Sequence, residues 1–202
     1  MNHLSRIFET TKYGNGDSDS HLLSLLALAM GSKSKNIIEL GVRGGQTTLP
    51  LLLAAKENNG MLHSVDIDDT EFECPDELRH HWTYHKTDAI KFLNEWEPTK
   101  SIDLIFIDDW HSYDHVKTEL EILDRIVSPS TVILLHDLMY GNSCPFYHVD
   151  LTPNGGEQWK NGGPYRAVAE LPSQFWEFST LPWNNGLTIL RKKYSNLYKQ
   201  KG

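Results

Sequence analysis

Carboxylates, imidazoles and glycines gather in five short segments of this 202-residue chain. The first holds Glu39, Gly41, Gly44 and Gly45, followed by Gln46, Thr47 and Thr48. Glycines where a strand passes into a helix let backbone approach a ligand, and free helical N–H groups face it. The plainer alternative is a tight turn that needs positive φ. The spacing is not Gly-x-Gly-x-x-Gly, so the dinucleotide fingerprint is absent. The second segment holds Asp66 and Asp68, with Asp66 lying 25 residues beyond Gly41. A carboxylate there can accept both hydroxyls of a ribose, or it is a solvated strand end. In the third, Asp88 is either a helix N-cap or a partner for an adenine amino group, and the two roles are compatible. The fourth runs through Asp108, Asp109, His111, Asp114 and His115, and the fifth is His136 with Asp137. Adjacent parallel strands bring Asp108, Asp109 and Asp137 to one sheet edge, where they repel unless a cation or proton sits among them. Oxygen-rich groups favour Mg²⁺, Mn²⁺ or Ca²⁺, and imidazole shifts the preference toward Mn²⁺, Fe²⁺ or Zn²⁺. The alternative makes Asp109 or Ser112 a helix cap and His136 a hydrogen-bonded strand-end residue. Asp114 and His115 read as the surface of the following helix.

The elements that must position these residues follow from periodicity. Apolar runs rich in Ile and Val alternate with helical patterns. Strands are expected at Asn36–Leu40, Met61–Asp66, His81–Lys86, Ile102–Asp108 and Thr131–His136. Helices are expected at 20–31, Gln46–Glu57, Asp88–Trp96 and Tyr113–Ile126, the last carrying Val116, Leu120, Leu123 and Val127 at 3/4 spacing. Such βαβα alternation implies an α/β fold with a doubly wound parallel sheet. Residues 138–163 are rich in Gly, Pro and Asn and read as a lid or binding loop, with Tyr140–Trp159 over an acceptor. A helix near Pro164–Leu171 follows, then strands at Gln174–Ser179 and Gly186–Leu190 as an antiparallel pair. The organisation is therefore a polar extension over 1–19, one domain over 20–191 and a basic tail over 192–202. The extension serves either the acceptor pocket or a homo-oligomer contact.

Composition narrows the partners. Lys and Arg number 19 against 27 Asp and Glu, a net charge of −8, which disfavours a phosphate-tracking nucleic-acid binder. Two cysteines are too few for a disulfide scaffold or a Cys-based zinc site. The longest apolar stretch, Leu25–Met30, falls far short of a membrane span. The polar start lacks the apolar core of a signal peptide, so a cytoplasmic setting is expected.

In sequence the Glu-x-Gly-x-x-Gly-Gly turn at Glu39–Gly45, the acidic end of strand two and Asp88 resemble class I S-adenosylmethionine-dependent methyltransferases. Residues 102–120, 134–137 and 162–168 are similar to a narrower subgroup of small bacterial O-methyltransferases, cephalosporin-hydroxylase-type proteins and sugar O-methyltransferases. The resemblance covers roughly 20–191. It implies a Rossmann-like seven-stranded sheet, mostly parallel with an antiparallel last strand. It further implies that Glu39, Gly41 and Gly45, with Gln46 and Thr47, cradle the methionine part of S-adenosyl-L-methionine. Asp66 would hold the ribose, Asp88 the adenine, and Asp108 would border the cofactor.

Some relatives hold a divalent cation, Mg²⁺ or Mn²⁺, at the ends of strands four and five. Those positions are Asp108 or Asp109 and Asp137 here. Where metal-dependent relatives often carry an acidic pair or Asp-Asn after strand five, this chain has His136 and Asp137, which leaves an imidazole as the alternative base. His111 is the first candidate and His136 the second, with Asp109 orienting the acceptor. The expected reaction is O-methylation of a hydroxyl on a sugar or small natural product. Two alternatives stand beside it. A metal-dependent hydrolase would use the Asp/His group but leave the glycine turn and Asp66 unexplained. A non-catalytic nucleoside-binding module would use the acids only as caps.

Overall fold

The computed structural model describes residues 2–139 and 162–194. Seven strands form one sheet: β1 Asn36–Leu40, β2 Met61–Asp66, β3 Trp82–Lys86, β4 Leu104–Ile107, β5 Val132–His136, β6 Trp176–Leu181 and β7 Leu187–Lys192. Their order is β3-β2-β1-β4-β5-β7-β6. Neighbours pair in parallel except β7, which is antiparallel to both β5 and β6. The expected sheet, with its antiparallel final strand, is the observed one.

The strands read as unbroken apolar runs because both faces are covered. On β4, Ile105 and Ile107 face one core layer while Leu104 and Phe106 face the other. The first layer is built with α4 Ala89–Glu95, α5 Tyr113–Ile126 and α6 Gly163–Ala169. Val116, Leu120 and Leu123 of α5 supply its apolar stripe. The second layer is built with α1 His3–Tyr13, α2 Leu22–Gly31 and α3 Thr48–Glu57. The chain leaves β1 toward β2 on one side of the sheet and reaches β4 on the other. Between β1 and β4 lies the reversal of strand order, beside which ligands bind in open α/β sheets.

The N-terminal residues depart from the expected polar extension. They form α1, capped by the Asn2 side chain accepting from the Ser5 N–H at 2.7 Å. Ile7 is 1% exposed and joins the α2/α3 core layer, whereas Leu4 and Phe8 remain exposed. One docked side chain in three turns leaves too weak an apolar period to read as a buried helix. The residues after β2 hold an unforeseen 3₁₀ helix, Asp76–His81. The final hairpin lies about two residues later than its pattern placed it. The proposed cover at Tyr140–Trp159 and most of the basic tail lie outside the described residues. No described helix is long and apolar enough to cross a membrane.

Ile7→Ala should lower unfolding free energy by about 2–4 kcal/mol, as for other large-to-small core changes. Leu4→Ala should stay within about 0.5 kcal/mol. Urea denaturation of the two variants checks whether α1 is part of the cooperative unit.

Candidate active site

At the end of β1 the chain turns at Gly41, whose φ is +87°. A Cβ there would lie 2.2 Å from the Asp108 carbonyl oxygen, so glycine is what lets the ends of β1 and β4 meet. The turn is then pinned by Asp66. Its Oδ2 accepts from the Val42 N–H at 2.8 Å and the Arg43 N–H at 3.1 Å, and Oδ1 accepts from Asp68 at 3.1 Å. Burial alone would raise this carboxyl pKa, but the backbone donors outweigh it and hold the group below its ordinary value. Arg43 itself sits at positive φ, a conformation disfavoured for a long side chain. Beneath the turn Glu39 is fully buried. Thr47, Thr48 and Ser64 hydroxyls donate to its oxygens at 2.8, 2.9 and 2.6 Å. Burial nevertheless pushes its carboxyl up to about 7.

Two carboxylate–imidazole groups follow along the same edge. In the first, His111 Nε2 lies 2.9 Å from Asp137 Oδ2 and 3.4 Å from Asp108 Oδ1. His136 Nδ1 lies 3.3 Å from both Asp108 Oδ1 and Asp137 Oδ1, while its Nε2 donates to the Asn184 carbonyl at 3.0 Å. Burial disfavours charge on both rings, yet the two carboxylates override it. His111 is pushed up to about 9 and His136 to about 11. Conversely, despite burial, the two imidazoles hold the Asp137 carboxyl well below the usual carboxylate range. Asp137 occupies this position at φ +67°, a strained backbone region that clusters at functional sites. In the second group His115 Nε2 lies 2.9 Å from Asp109 Oδ2 and 3.5 Å from Glu119 Oε1. Burial, then the Asp109 carboxylate, pushes Glu119 upward, and its carboxylate partners push His115 upward against burial.

A cavity of about 460 Å³ opens beside these groups, within the usual range for small-molecule sites. Gly41, Asp66, Asp88, Asp108, Asp109 and His115 line it. A second, of about 540 Å³, is lined by Gln46 and Thr47 and walled by the segment from Gly16 to Asp19. Gly41, Arg43, Asp66 and Asp108 border both, which makes them chambers of one cleft. Glu39 and Gly45 line neither. Glu39 stands behind the wall, and a Cβ on Gly45 would meet the Phe72 ring at 2.4 Å. Thr47 borders the cleft but commits its hydroxyl to Glu39. Asp88 both borders the cleft and caps α4, accepting from the Lys91 N–H at 2.9 Å.

Three expectations need correction. Asp108, Asp109 and Asp137 do not form one set, because successive residues after β4 diverge: Asp108 turns to Asp137 and Asp109 to α5. His136 is buried between two carboxylates that favour its charged form, an environment opposed to the expected role of base. The same two carboxylates favour the charged form of His111. His115 is not on the helix surface but beside Asp109. Glu119, one helical turn on, escaped notice, although the i,i+4 spacing of His115 and Glu119 was available as a signal. Asn184, whose carbonyl also accepts from His21 Nε2 at 3.2 Å, had no signal in the sequence.

A family model described as a methyltransferase domain matches residues 38–138, half of the chain and every carboxylate of both groups. The chain belongs to this methyltransferase family. No curated protein matches it. Solved structures share its fold at low identity. A Klebsiella pneumoniae protein assigned to the O-methyltransferases is 16% identical, with TM-score 0.70 over 96% of this chain and 91% of that one. An O-methyltransferase from Bacillus cereus in complex with S-adenosylhomocysteine is 15% identical, with TM-score 0.65 over 95% and 90%. TomG from Streptomyces achromogenes, an O-methyltransferase involved in tomaymycin synthesis and solved with S-adenosylmethionine, is 15% identical, with TM-score 0.62 over 96% and 91%.

Glu39 gives this methyltransferase a pH-dependent stability of definite sign. Its folded pKa of about 7 exceeds the ordinary 4.5. Between those values the folded protein keeps a proton that the unfolded chain has lost, so stability falls as pH rises through the window. The group accounts for about 3 kcal/mol between pH 4.5 and 7. Glu39→Gln should abolish that component, read as the difference between wild-type and variant urea curves at pH 5 and pH 8.

Proposed function

We propose that this methyltransferase moves the methyl group of S-adenosylmethionine to a hydroxyl oxygen of a small acceptor, a sugar or natural product. A divalent cation, Mg²⁺ or Mn²⁺, held by Asp108, His111 and Asp137 would assist it. The observation that carries this reading is the double position of Asp108, which stands in the wall of the cleft and in the carboxylate–imidazole group at once.

The cleft fits the cofactor. Asp66, half-exposed at the end of β2, faces it beside a turn whose glycine keeps the wall free of side chain, and Asp88 borders the same chamber. The cofactor supplies an electrophilic sulfonium methyl. Asp66 would hold the ribose and Asp88 the base of the bound cofactor, in the chamber that Asp108 also lines. The donor set also fits a cation: one imidazole and two carboxylates whose ligand atoms all lie within 4.8 Å of one another. Asp137 Oδ1 is buried and ion-paired to His136 Nδ1 at 3.3 Å, but that contact is not a hydrogen bond. A cation supplies a lowered pKa for an approaching hydroxyl, which relieves the need for a strong base. His136 offsets the charge of the two carboxylates from behind and holds Asp137 in place. His111 must release its proton to serve as a ligand, which makes cation loading pH-dependent.

Asp66→Ala should weaken S-adenosylhomocysteine binding at least tenfold by calorimetry, the equivalent of about 1.4 kcal/mol. Asp137→Ala should leave that affinity within about threefold yet lower kcat for methyl transfer by a factor of about 100 or more. Absence of S-adenosylhomocysteine binding in the wild type would sink the cofactor assignment. Binding without transfer to any hydroxyl acceptor, with Mg²⁺ and Mn²⁺ present, would sink the O-methylation assignment.

A further inference from the structure

Asp109, His115 and Glu119 are not used by the reaction derived above. They come from the β4–α5 connection and the first two turns of α5, and their ligand atoms all lie within 4.8 Å of one another. Glu119 is fully buried, and neither of its oxygens has a hydrogen-bond partner among the described residues. Asp109 Oδ1 is likewise buried and unpartnered. His115 Nε2 carries at most one hydrogen. That hydrogen is directed to Asp109 Oδ2 at 2.9 Å, and 3.5 Å to Glu119 Oε1 is too long to satisfy a second carboxylate. Two carboxylates facing one ring nitrogen therefore leave Asp109 Oδ1 and the Glu119 carboxyl without a donor from any third described residue, which is costly unless a proton shared between them or a cation meets them.

We propose that Asp109, His115 and Glu119 form a second metal site, separate from the Asp108–His111–Asp137 group and selective for a transition-metal ion such as Zn²⁺ or Mn²⁺. The donor separations of 2.9 and 3.5 Å match those around a single ion with bonds of about 2.0–2.2 Å. One imidazole with two carboxylates favours Zn²⁺ or Mn²⁺ over Mg²⁺ and Ca²⁺, and the same preference makes Mn²⁺ the better fit to the Asp108–His111–Asp137 group. Asp109 and His115 border the cleft and give the ion its entry path, while Glu119 closes the site from the helix side. An ion here ties the connection carrying Asp108, Trp110 and His111 to α5. It steadies the wall of the cleft without touching the reacting atoms.

The test uses the full chain, freed of metal with a chelator. Zn²⁺ should bind in calorimetry with one equivalent that His115→Gln and Glu119→Gln each weaken by about 100-fold or more. Asp137→Asn should leave that equivalent unchanged. In the ¹⁵N-labelled wild type, Zn²⁺ should shift the His115 ring resonances, and millimolar Mg²⁺ should not reverse the shift. This reading needs no variant to fold. Unmoved His115 resonances at saturating Zn²⁺, or equal Zn²⁺ binding by wild type and His115→Gln, would overturn the site and leave a proton-bridged ion pair. Reversal by Mg²⁺ would overturn its selectivity.

Discussion

Two carboxylates at the ends of neighbouring strands cannot stay buried and ionised side by side without positive charge close to both. Asp137 after β5 is buried, Asp108 after β4 is partly buried beside it, and much of the surrounding structure answers their charge. His136 lies between them from below, and His111 closes on them from the connection to α5. Removing either carboxylate would strand imidazolium charge, and removing either histidine would strand carboxylate charge. The group is therefore self-consistent only as a whole. That mutual dependence accounts for the left-handed backbone tolerated at Asp137.

The sheet makes such a group possible. Because β1, β4 and β5 run parallel, their carboxyl ends emerge at one edge, and the turns after them converge there. Gly41 then permits the close approach of the β1 and β4 ends, and Asp66 fastens the turn from the β2 side. Glu39 does similar work one layer down, gathering hydroxyls from β2 and the start of α3. The cleft thus has a rigid floor of backbone and buried polar groups, while its exposed carboxylates remain available to a ligand.

Most of the fold was legible from sequence because both core layers leave long apolar periods. The β4 run and the α5 stripe are unambiguous, and each strand-end acid could be placed at the same edge. What escaped was local direction. Asp108 and Asp109 are adjacent in sequence, but consecutive residues leaving a strand point opposite ways, so one joins β5 and the other α5. Protonation was equally hidden. His136 reads as a base until two carboxylates are seen within 3.3 Å of its ring. Helix α1 was missed because Ile7 alone docks firmly, and a single anchor produces no periodicity.

The Asn184 carbonyl accepts from both His21 and His136. The Asp137 N–H donates to Gly186 at 3.1 Å in the same turn. The buried acid–imidazole group thus borrows supports from the β6–β7 turn, 48 residues beyond His136 in the chain. A chain cut after Asp137 would hold nearly all the chemistry-bearing residues but lack the carbonyls of Asn184 and Gly186 that fix them.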